Sequence, residues 1–241
     1  MQIENKRILI SGAGRGLGRT LVGAFVDAGA SEVFAGTRNE EARDALKREF
    51  AERVTPIQLD VTSDTDMDSI AGVGTIDILV NNAGIAGYGN PLTMNFSDVQ
   101  RELAVNYLGV LRLTRAVAPG MIAQRDGMVL NVATAFAKVN LPLVGTYCAT
   151  KAALLSLGQA LRAHLADDGV RVITVMPTTF DSDMSRGADV PKMTREFVAA
   201  QILDAIREER HDPPIGSEAE GIIENLMKDP VGLEKTLMNY R

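Results

Sequence analysis

Residues 7–20 read RILISGAGRGLGRT, a short apolar run followed directly by four glycines. The glycines are Gly12, Gly14, Gly16 and Gly18. Beyond them, apolar residues recur at the spacing of a helix, and a further glycine ends that pattern. The stretch therefore predicts a buried strand, a tight turn and a helix.

The glycine spacing points to a particular kind of turn. The common dinucleotide fingerprint G-x-G-x-x-G does not fit, because a match begun at Gly12 needs a third glycine where Leu17 stands. The spacing G-x-x-x-G-x-G does fit, at Gly12, Gly16 and Gly18, which leaves Gly14 as an incidental residue. Glycine-rich turns are common, so the rest of the chain must decide whether this one binds a phosphate.

Strands and helices alternate along the rest of the chain. Five further apolar segments are separated by helical patterns: EVFAG, TPIQLDV, DILVNNAG, GMVLNVAT and VRVITVMP. Strands that read as continuous apolar runs are buried on both faces, which is typical of a parallel sheet. We expect a Rossmann-type α/β fold, a doubly wound parallel sheet of about seven strands with helices on both faces. Nothing divides residues 1–241, so a single domain is expected.

Composition argues against several classes of function. The net charge is −6 with scattered basic residues, so no nucleic acid is expected as a partner. No run approaches the roughly eighteen apolar residues of a membrane span, and the N-terminal segment lacks the apolar core of a signal peptide. One cysteine, Cys148, and two histidines offer neither a disulfide nor a clustered metal site. A cytoplasmic location without a metal is expected.

Three segments of the chain match motifs of one enzyme family. The residues from Ser11 to Gly18 match T-G-x-x-x-G-x-G with serine for threonine, and Asn81–Gly84 read N-N-A-G. Tyr147 and Lys151 match Y-x-x-x-K. In these motifs and in their order the chain resembles the short-chain dehydrogenase/reductase family over essentially its whole length. Each motif is weak alone, and the order and spacing together give the resemblance its weight.

The spacing of Tyr147 and Lys151 has a chemical consequence. Residues four apart share one face of a helix, so the two side chains are expected to lie together. A lysine ammonium about 4 Å from a tyrosine hydroxyl contributes about 4 kcal/mol at an effective dielectric constant of about 20. That attraction would lower the pKa of Tyr147 by about three, towards neutrality, where general acid and base catalysis is most effective.

The resemblance implies roles for four catalytic residues. Tyr147 donates a proton to a substrate carbonyl while hydride arrives from a nicotinamide, and Lys151 also holds the nicotinamide ribose. Asn106 matches the family asparagine that positions a water; the alternative is a helix-interior asparagine that holds a backbone carbonyl. Thr134 stands where the family usually has serine, thirteen residues before the tyrosine, and its hydroxyl can still bind a carbonyl oxygen.

The resemblance also implies a set of cofactor-binding residues. They are Gly12, Arg15, Gly16, Leu17, Gly18, Thr37, Arg38, Asp60, Val61, Asn82, Ala83, Gly84, Tyr147, Lys151, Pro177 and Ser182. Asp60 resembles the family aspartate at the adenine, although capping of the following turn is nearly as good an interpretation. Thr178 replaces a customary glycine, and a left-handed backbone there would cost a threonine about 1–3 kcal/mol.

The choice between NAD(H) and NADP(H) depends on the end of the second strand. Sites that prefer NAD place an acidic residue there, about twenty positions past the glycine turn. Here Thr37 occupies that position and Arg38 follows, while Arg15 lies inside the glycine turn. In the family both arginine positions are associated with the 2′-phosphate. Two cations and no anion favour NADP(H) as the cofactor.

The resulting hypothesis is an NADP(H)-dependent oxidoreductase of a ketone or aldehyde carbonyl, acting reversibly on a secondary alcohol. The alternative is a nucleotide-sensing regulator on the same fold with little turnover. A hydrolase is disfavoured because no G-x-S-x-G elbow is present. The loop at 178–193 is expected to cover the small-molecule substrate, whose identity the sequence does not specify. Tyr88 could line that site or be an ordinary loop residue.

The helix predicted from about Tyr147 to Ala166 is apolar on more than one side. A helix of that kind needs two packing partners, of which the sheet is one. The second is expected to be the same helix of another subunit, in a homodimer or homotetramer.

Overall fold

A computed structural model describes residues 1–187 and 189–239. Within these residues the strands are β1 (Arg7–Ser11), β2 (Glu32–Thr37), β3 (Val54–Gln58), β4 (Ile78–Asn81), β5 (Gly127–Val132), β6 (Val170–Pro177) and β7 (Pro214–Ile215). They form one parallel sheet in the order β3-β2-β1-β4-β5-β6-β7. The expected doubly wound parallel sheet of about seven strands is confirmed.

Helices cover both faces of this sheet. Those of the described residues are α1 (Gly16–Asp27), α2 (Glu40–Phe50), α3 (Asp64–Ala71), α4 (Phe96–Leu103), α5 (Gly109–Gln124), α6 (Gly145–Leu165), α7 (Arg195–Glu208), α8 (Ser217–Lys228) and α9 (Pro230–Leu237). One core cluster joins the sheet to α1 and α7, and a second joins its other face to α3, α5 and α6. Along β1, Ile8 and Ile10 belong to the first cluster and Leu9 to the second. Burial on both sides explains why the strands lack polar alternation.

The strand order reverses beside β1, which lies between β2 and β4. Chains that leave β1 and β4 at their carboxyl ends turn to opposite sides of the sheet, and this divergence opens a crevice. The glycine turn follows β1, and the N-N-A-G segment runs on from β4. The fold therefore brings two of the predicted motifs to one edge.

Three elements differ from the sequence prediction. The sequence pattern from about Ser97 to Gln124 predicts one long helix, but a π-helical turn at Ala104–Leu108 interrupts it, and there the Gly109 N–H donates to the Ala104 carbonyl. The third strand ends at Gln58, because the Asp60 carboxylate accepts hydrogen bonds from Thr62 and forms a turn. β7 has two residues, too few for a recognisable pattern.

No helix within the described ranges is both long enough and apolar enough to cross a membrane. Likewise, residues 1–187 and 189–239 contain no group of three or more His, Cys, Asp or Glu side chains that could bind a metal ion.

Candidate active site

The glycine turn joins β1 to α1 and needs its glycines for different reasons. Gly12 and Gly16 have φ angles of 68° and 55°, a left-handed conformation that L-residues avoid. A Cβ at Gly12 would also lie 2.9 Å from Ala83 Cα, so the turn contacts the segment after β4. The prediction that Gly14 is incidental is wrong, because a Cβ there would lie 2.5 Å from Thr37 Oγ1 at the end of β2.

Hydrogen bonds lock the glycine turn to the N-N-A-G segment. Asn82 Nδ2 donates to the carbonyls of Ser11 (3.0 Å) and Gly12 (3.2 Å). In the other direction, Ser11 Oγ accepts from the backbone N–H groups of Asn82 and Ala83, both at 3.1 Å. The serine therefore keeps a hydroxyl where the family has threonine, and that hydroxyl fixes the floor of the crevice.

A cleft of about 830 Å³ opens above this floor. It is lined by thirteen of the predicted cofactor residues: Gly12, Arg15, Gly16, Leu17, Gly18, Thr37, Arg38, Asp60, Val61, Asn82, Ala83, Gly84 and Ser182. Tyr147, Lys151 and Pro177 lie outside that lining. A Cβ added at Gly16 would meet nothing within 4 Å, so the backbone here faces open space in which a phosphate fits.

Charged residues line the end of the cleft beside β2. No carboxylate stands at Thr37, which is buried, and Arg38 follows it with its guanidinium 3.4 Å from Asp60 Oδ2. Partial burial of Asp60 opposes its ionisation, but hydrogen bonds from Thr62 and the charge of Arg38 hold its pKa below the usual range. The contacts of Asp60 are therefore those of turn capping, and its contact with adenine stays a prediction. The guanidinium of Arg38 and the lack of a carboxylate at Thr37 fit a cofactor that has an additional phosphate.

Tyr147 and Lys151 lie near the start of α6. Lys151 Nζ lies 5.8 Å from the centre of the Tyr147 ring and donates to the Val132 carbonyl at 2.8 Å. Val132 ends β5, so a strand end fixes the ammonium. Lys151 is buried and Tyr147 is half-buried.

Asn106 lies in the π-helical turn between α4 and α5, and π-turns of this kind occur frequently at functional sites. Its Oδ1 accepts from the Ile85 N–H at 2.9 Å, and its Nδ2 donates to the Ile85 carbonyl at 2.8 Å. Nδ2 also donates to Thr150 Oγ1 at 2.9 Å, which ties the turn to α6. The side chain thus holds a backbone segment outside its own helix, and its role in holding a water stays a prediction.

Gly84 is where the cleft meets this buried polar group. A Cβ added there would lie 3.4 Å from Asn106 Oδ1 and 3.5 Å from Lys151 Nζ. Gly84 also lines the cleft. The structure therefore places two of the four catalytic candidates, Asn106 and Lys151, against one wall of the predicted cofactor site.

Burial raises the pKa of the Tyr147 hydroxyl above its usual range, with smaller contributions from Cys148, Tyr88 and Glu102. This direction is opposite to the sequence expectation. The Lys151 ammonium is itself buried, which lowers its pKa to about 8, and it is turned to the Val132 carbonyl. At neutral pH Tyr147 retains its proton and Lys151 is mostly charged. The pair can therefore supply a proton.

Thr134 follows the end of β5 and is buried. Its Oγ1 accepts from the Phe136 N–H at 3.3 Å, which leaves the hydroxyl hydrogen available to another acceptor.

Beyond β6, Thr178 is not among the non-glycine residues with positive φ, so the strain expected there is absent. Ser182 Oγ accepts from the Ser185 N–H at 3.2 Å, which stabilises a turn in this loop.

The sequence prediction missed several residues of the site. Glu102 is almost completely buried in α4; its Oε1 accepts from the Gly87 N–H, and its Oε2 has no hydrogen-bond partner among the described residues. It lies four residues before Asn106 on the same helical stretch, a spacing that could have identified it. Tyr88, for which the sequence left two interpretations open, donates to the Met184 carbonyl and connects two loops beside the cleft. Asp183 lines the cleft beside Ser182.

Comparisons with known proteins agree with this architecture. A family model described as short chain dehydrogenase matches residues 6–191. A sorbitol dehydrogenase of Cereibacter sphaeroides is 35% identical over 195 residues, which cover 78% of this chain and 76% of the relative. The crystal structure of a short chain dehydrogenase from Burkholderia cenocepacia J2315 in complex with NADP has 32% identity and a TM-score of 0.93, and 99% of each chain is covered.

A second solved structure is similar over most of its length. It is a gluconate 5-dehydrogenase from Burkholderia cenocepacia J2315 in complex with NADP and tartrate, with 25% identity and a TM-score of 0.84. The alignment covers 91% of this chain and 98% of that one. The glycine turn, the N-N-A-G segment and the Tyr147–Lys151 pair thus occur in a chain that belongs to the short-chain dehydrogenase/reductase family.

Proposed function

We propose that this protein is an NADP(H)-dependent oxidoreductase that reduces the carbonyl of a ketone or aldehyde, or oxidises the corresponding secondary alcohol. As a family member the chain is an oxidoreductase. The observation that carries the proposal is the position of Lys151 Nζ, 3.5 Å from a Cβ placed on Gly84 in the cleft wall. The ammonium that is proposed to stabilise the Tyr147 phenolate is thereby held directly beside the cleft.

The choice of NADP(H) rests on the end of the cleft beside β2. Thr37 gives no carboxylate to a ribose 2′-hydroxyl, and Arg15 and Arg38 both line the cleft. Arginine binds phosphate with two charge-assisted hydrogen bonds. The two Burkholderia neighbours, crystallised with NADP, support the same choice.

Each catalytic candidate has a task in carbonyl reduction. When bound, the reduced cofactor supplies the hydride that adds to the carbonyl carbon. Tyr147 donates its phenolic proton to the carbonyl oxygen, and the nearby Lys151 charge stabilises the resulting phenolate. Thr134 donates its free hydroxyl hydrogen to the same oxygen. Asn106 holds the Ile85 backbone, and hence the wall of the site, in place.

Substrate class is best approached through the relatives. One relative is named for sorbitol and one solved neighbour for gluconate, so polyols, sugar acids and their ketones come first in a screen. Simple ketones and aldehydes follow. A substrate-dependent loss of NADPH absorbance supports the proposal, and no turnover with any carbonyl would favour the nucleotide-sensing alternative.

The cofactor proposal has its own test. Initial rates are measured with NADPH and NADH at equal subsaturating concentrations and a fixed substrate. We expect faster turnover with NADPH, because only that cofactor has a phosphate for the two arginines. Faster turnover with NADH would contradict the proposal.

We also propose that α6 forms part of a subunit interface. Its outward face is made of small and polar residues, among them Ala149, Ala152, Ser156 and Gln159, which permit close approach of a second helix. Leu155 is buried within the subunit and does not belong to that face. Light scattering at micromolar concentration is expected to give a dimer or tetramer, and a monomer would contradict the proposal.

A further inference from the structure

Arg15 reaches across the cofactor cleft. It belongs to the glycine turn after β1, yet its Nη1 lies 2.7 Å from Oδ2 of Asp183, which follows β6. Both residues line the cleft, and the Arg15 side chain is 82% exposed. An arginine proposed to bind the cofactor phosphate is thus paired with a carboxylate of the same site.

Asp183 has a second cation as partner. Its other oxygen, Oδ1, is paired with the guanidinium of Arg186, three residues further along the same loop. If Arg15 moves to a phosphate, Asp183 keeps this local partner and is not left as an isolated charge. Exchange of Arg15 between carboxylate and phosphate therefore leaves every charge with a partner.

We propose that Asp183 is a specificity-determining residue that weakens binding of the 2′-phosphorylated cofactor by competing for Arg15. This inference rests on the proposed use of NADP(H). A phosphate has more charge and more acceptor oxygens than a carboxylate, so Arg15 binds the phosphate in preference to Asp183 when NADPH is present. The competition nevertheless reduces affinity for NADPH and leaves affinity for NADH, which has no 2′-phosphate, unchanged.

The expected effect is moderate because the pair is exposed to solvent. Exposed ion pairs contribute little, so removal of the competitor is expected to change the Kd a few-fold and not by orders of magnitude. The effect should also fall at high ionic strength, since salt screens exposed charges. We expect Asp183→Asn to lower the Kd of NADPH about three- to fivefold at low salt.

The test is a double-mutant cycle read by fluorescence titration of the full chain. Kd values for NADPH and NADH are measured for the parent, Asp183→Asn, Arg15→Gln and the double variant. The matched control is Asp181→Asn, which removes one carboxylate from the same loop; Asp181 is paired with Arg195 and not with Arg15. We expect the control to change neither Kd more than about twofold.

Three outcomes would overturn the inference. The first is an unchanged or higher Kd of NADPH in Asp183→Asn. The second is a fall in the Kd of NADH equal to the fall in the Kd of NADPH. The third is a fall in the Kd of NADPH that is just as large when Asp183→Asn is made in the Arg15→Gln background. The last result would mean simple charge repulsion, without competition for Arg15. The parent alone tests the proposed function, because tighter binding of NADH than NADPH by the parent would contradict NADP(H) use, whatever the cycle gives.

Discussion

The two ends of the cleft hold their charged groups in different ways. At the proposed catalytic end Lys151, which lies behind the cleft wall at Gly84, is 4% exposed and donates to the carbonyl of a strand terminus. At the proposed phosphate end the Arg15 side chain is 82% exposed and paired with a carboxylate from a loop. One charge is fixed by the core of the fold, and the other is free to change partners.

Burial determines how strongly the loss of a single charged or polar group affects each end of the cleft. A buried polar group that loses its partner costs about 1–3 kcal/mol, and more if it is charged, because water cannot replace that partner. An exposed ion pair contributes about 0–1 kcal/mol and is screened by salt. Substitutions at the catalytic end should therefore have large effects, and those at the phosphate end should shift preferences. The following predictions test this contrast, beginning with the largest effect.

Tyr147→Phe removes the proposed proton donor and keeps the aromatic ring. We expect kcat for carbonyl reduction to fall by roughly 10³-fold, within the range that general acid catalysis contributes. Binding of NADPH, followed by fluorescence titration, should remain measurable, since the glycine turn is untouched.

The control for Tyr147→Phe is Tyr88→Phe, which also deletes one phenolic hydroxyl beside the cleft. Tyr88 donates only to the Met184 carbonyl at the surface, so its loss should change kcat by less than about tenfold. Equal losses in the two variants would mean that Tyr147 has no special role, and the contrast between the two ends would fail.

Burial of Lys151 makes stability depend on pH. The pKa is about 8 in the folded protein against 10.5 for an ordinary lysine. Between these values the unfolded chain binds more protons, so the contribution of Lys151 to the free energy of unfolding rises as pH increases from about 8. The rise is up to about 3 kcal/mol by pH 10.5.

This pH dependence is measured against Lys151→Met, which cannot titrate. Urea unfolding of both proteins at intervals from pH 7.5 to about 9.5 stays below the titration of ordinary tyrosines. The difference, parent minus variant, should become more favourable to the parent as pH rises. A difference in the free energy of unfolding that does not change with pH would show that water solvates the Lys151 ammonium in the folded protein. It would contradict the view that burial fixes this group.

Thr134 tests whether a methyl-bearing hydroxyl can replace serine. Thr134→Ala should lower kcat/KM about 10²-fold, the effect of removing one hydrogen-bond donor to a developing oxyanion. Thr134→Ser should retain most of the activity, because the hydroxyl and its contact with the Phe136 N–H are both kept. Thermal unfolding of both variants separates loss of that contact from loss of catalysis. Equal rates for Thr134→Ala and the parent would refute the assignment.

The proximity of Tyr147 and Lys151 could be predicted from sequence because it follows from local geometry. The i, i+4 spacing of Tyr147 and Lys151 fixes them on one helical face wherever the helix packs. The direction of the Tyr147 pKa shift could not be predicted in this way. The direction depends on how completely α6, β5 and the loop at Gly84 exclude water from the Tyr147 hydroxyl, and this exclusion is a property of the assembled fold.

The phosphate end was predictable in composition but not in contacts. The arginines at 15 and 38 and the missing acid at 37 are visible in the sequence. The partner of Arg15 is 168 residues away in a loop of irregular structure, and no periodicity predicts such a pair. The need for glycine at position 14 was not predictable for the same reason, since its close neighbour Thr37 belongs to β2.

Arg38→Asp is expected to have a smaller effect than the substitutions at the proposed catalytic end. Arg38 contacts Asp60 and lines the cleft, where the 2′-phosphate is proposed to bind. Replacing it should lower the ratio of kcat/KM for NADPH to that for NADH about tenfold, since one charge-assisted phosphate contact is lost and a ribose acceptor is gained. Initial rates with each cofactor give the ratio directly.

Two further variants separate the possible causes of that change. Arg48→Asp makes the same change of charge on an exposed turn of α2 outside the cleft, and it should leave the cofactor ratio within about twofold because salt screens distant charges. Arg38→Gln removes the cation without placing a second carboxylate beside Asp60. If Arg38→Gln already gives most of the fall, the lost phosphate contact is the cause. If only Arg38→Asp changes the ratio, the new carboxylate acts by repulsion, and Arg38 does not contact the phosphate.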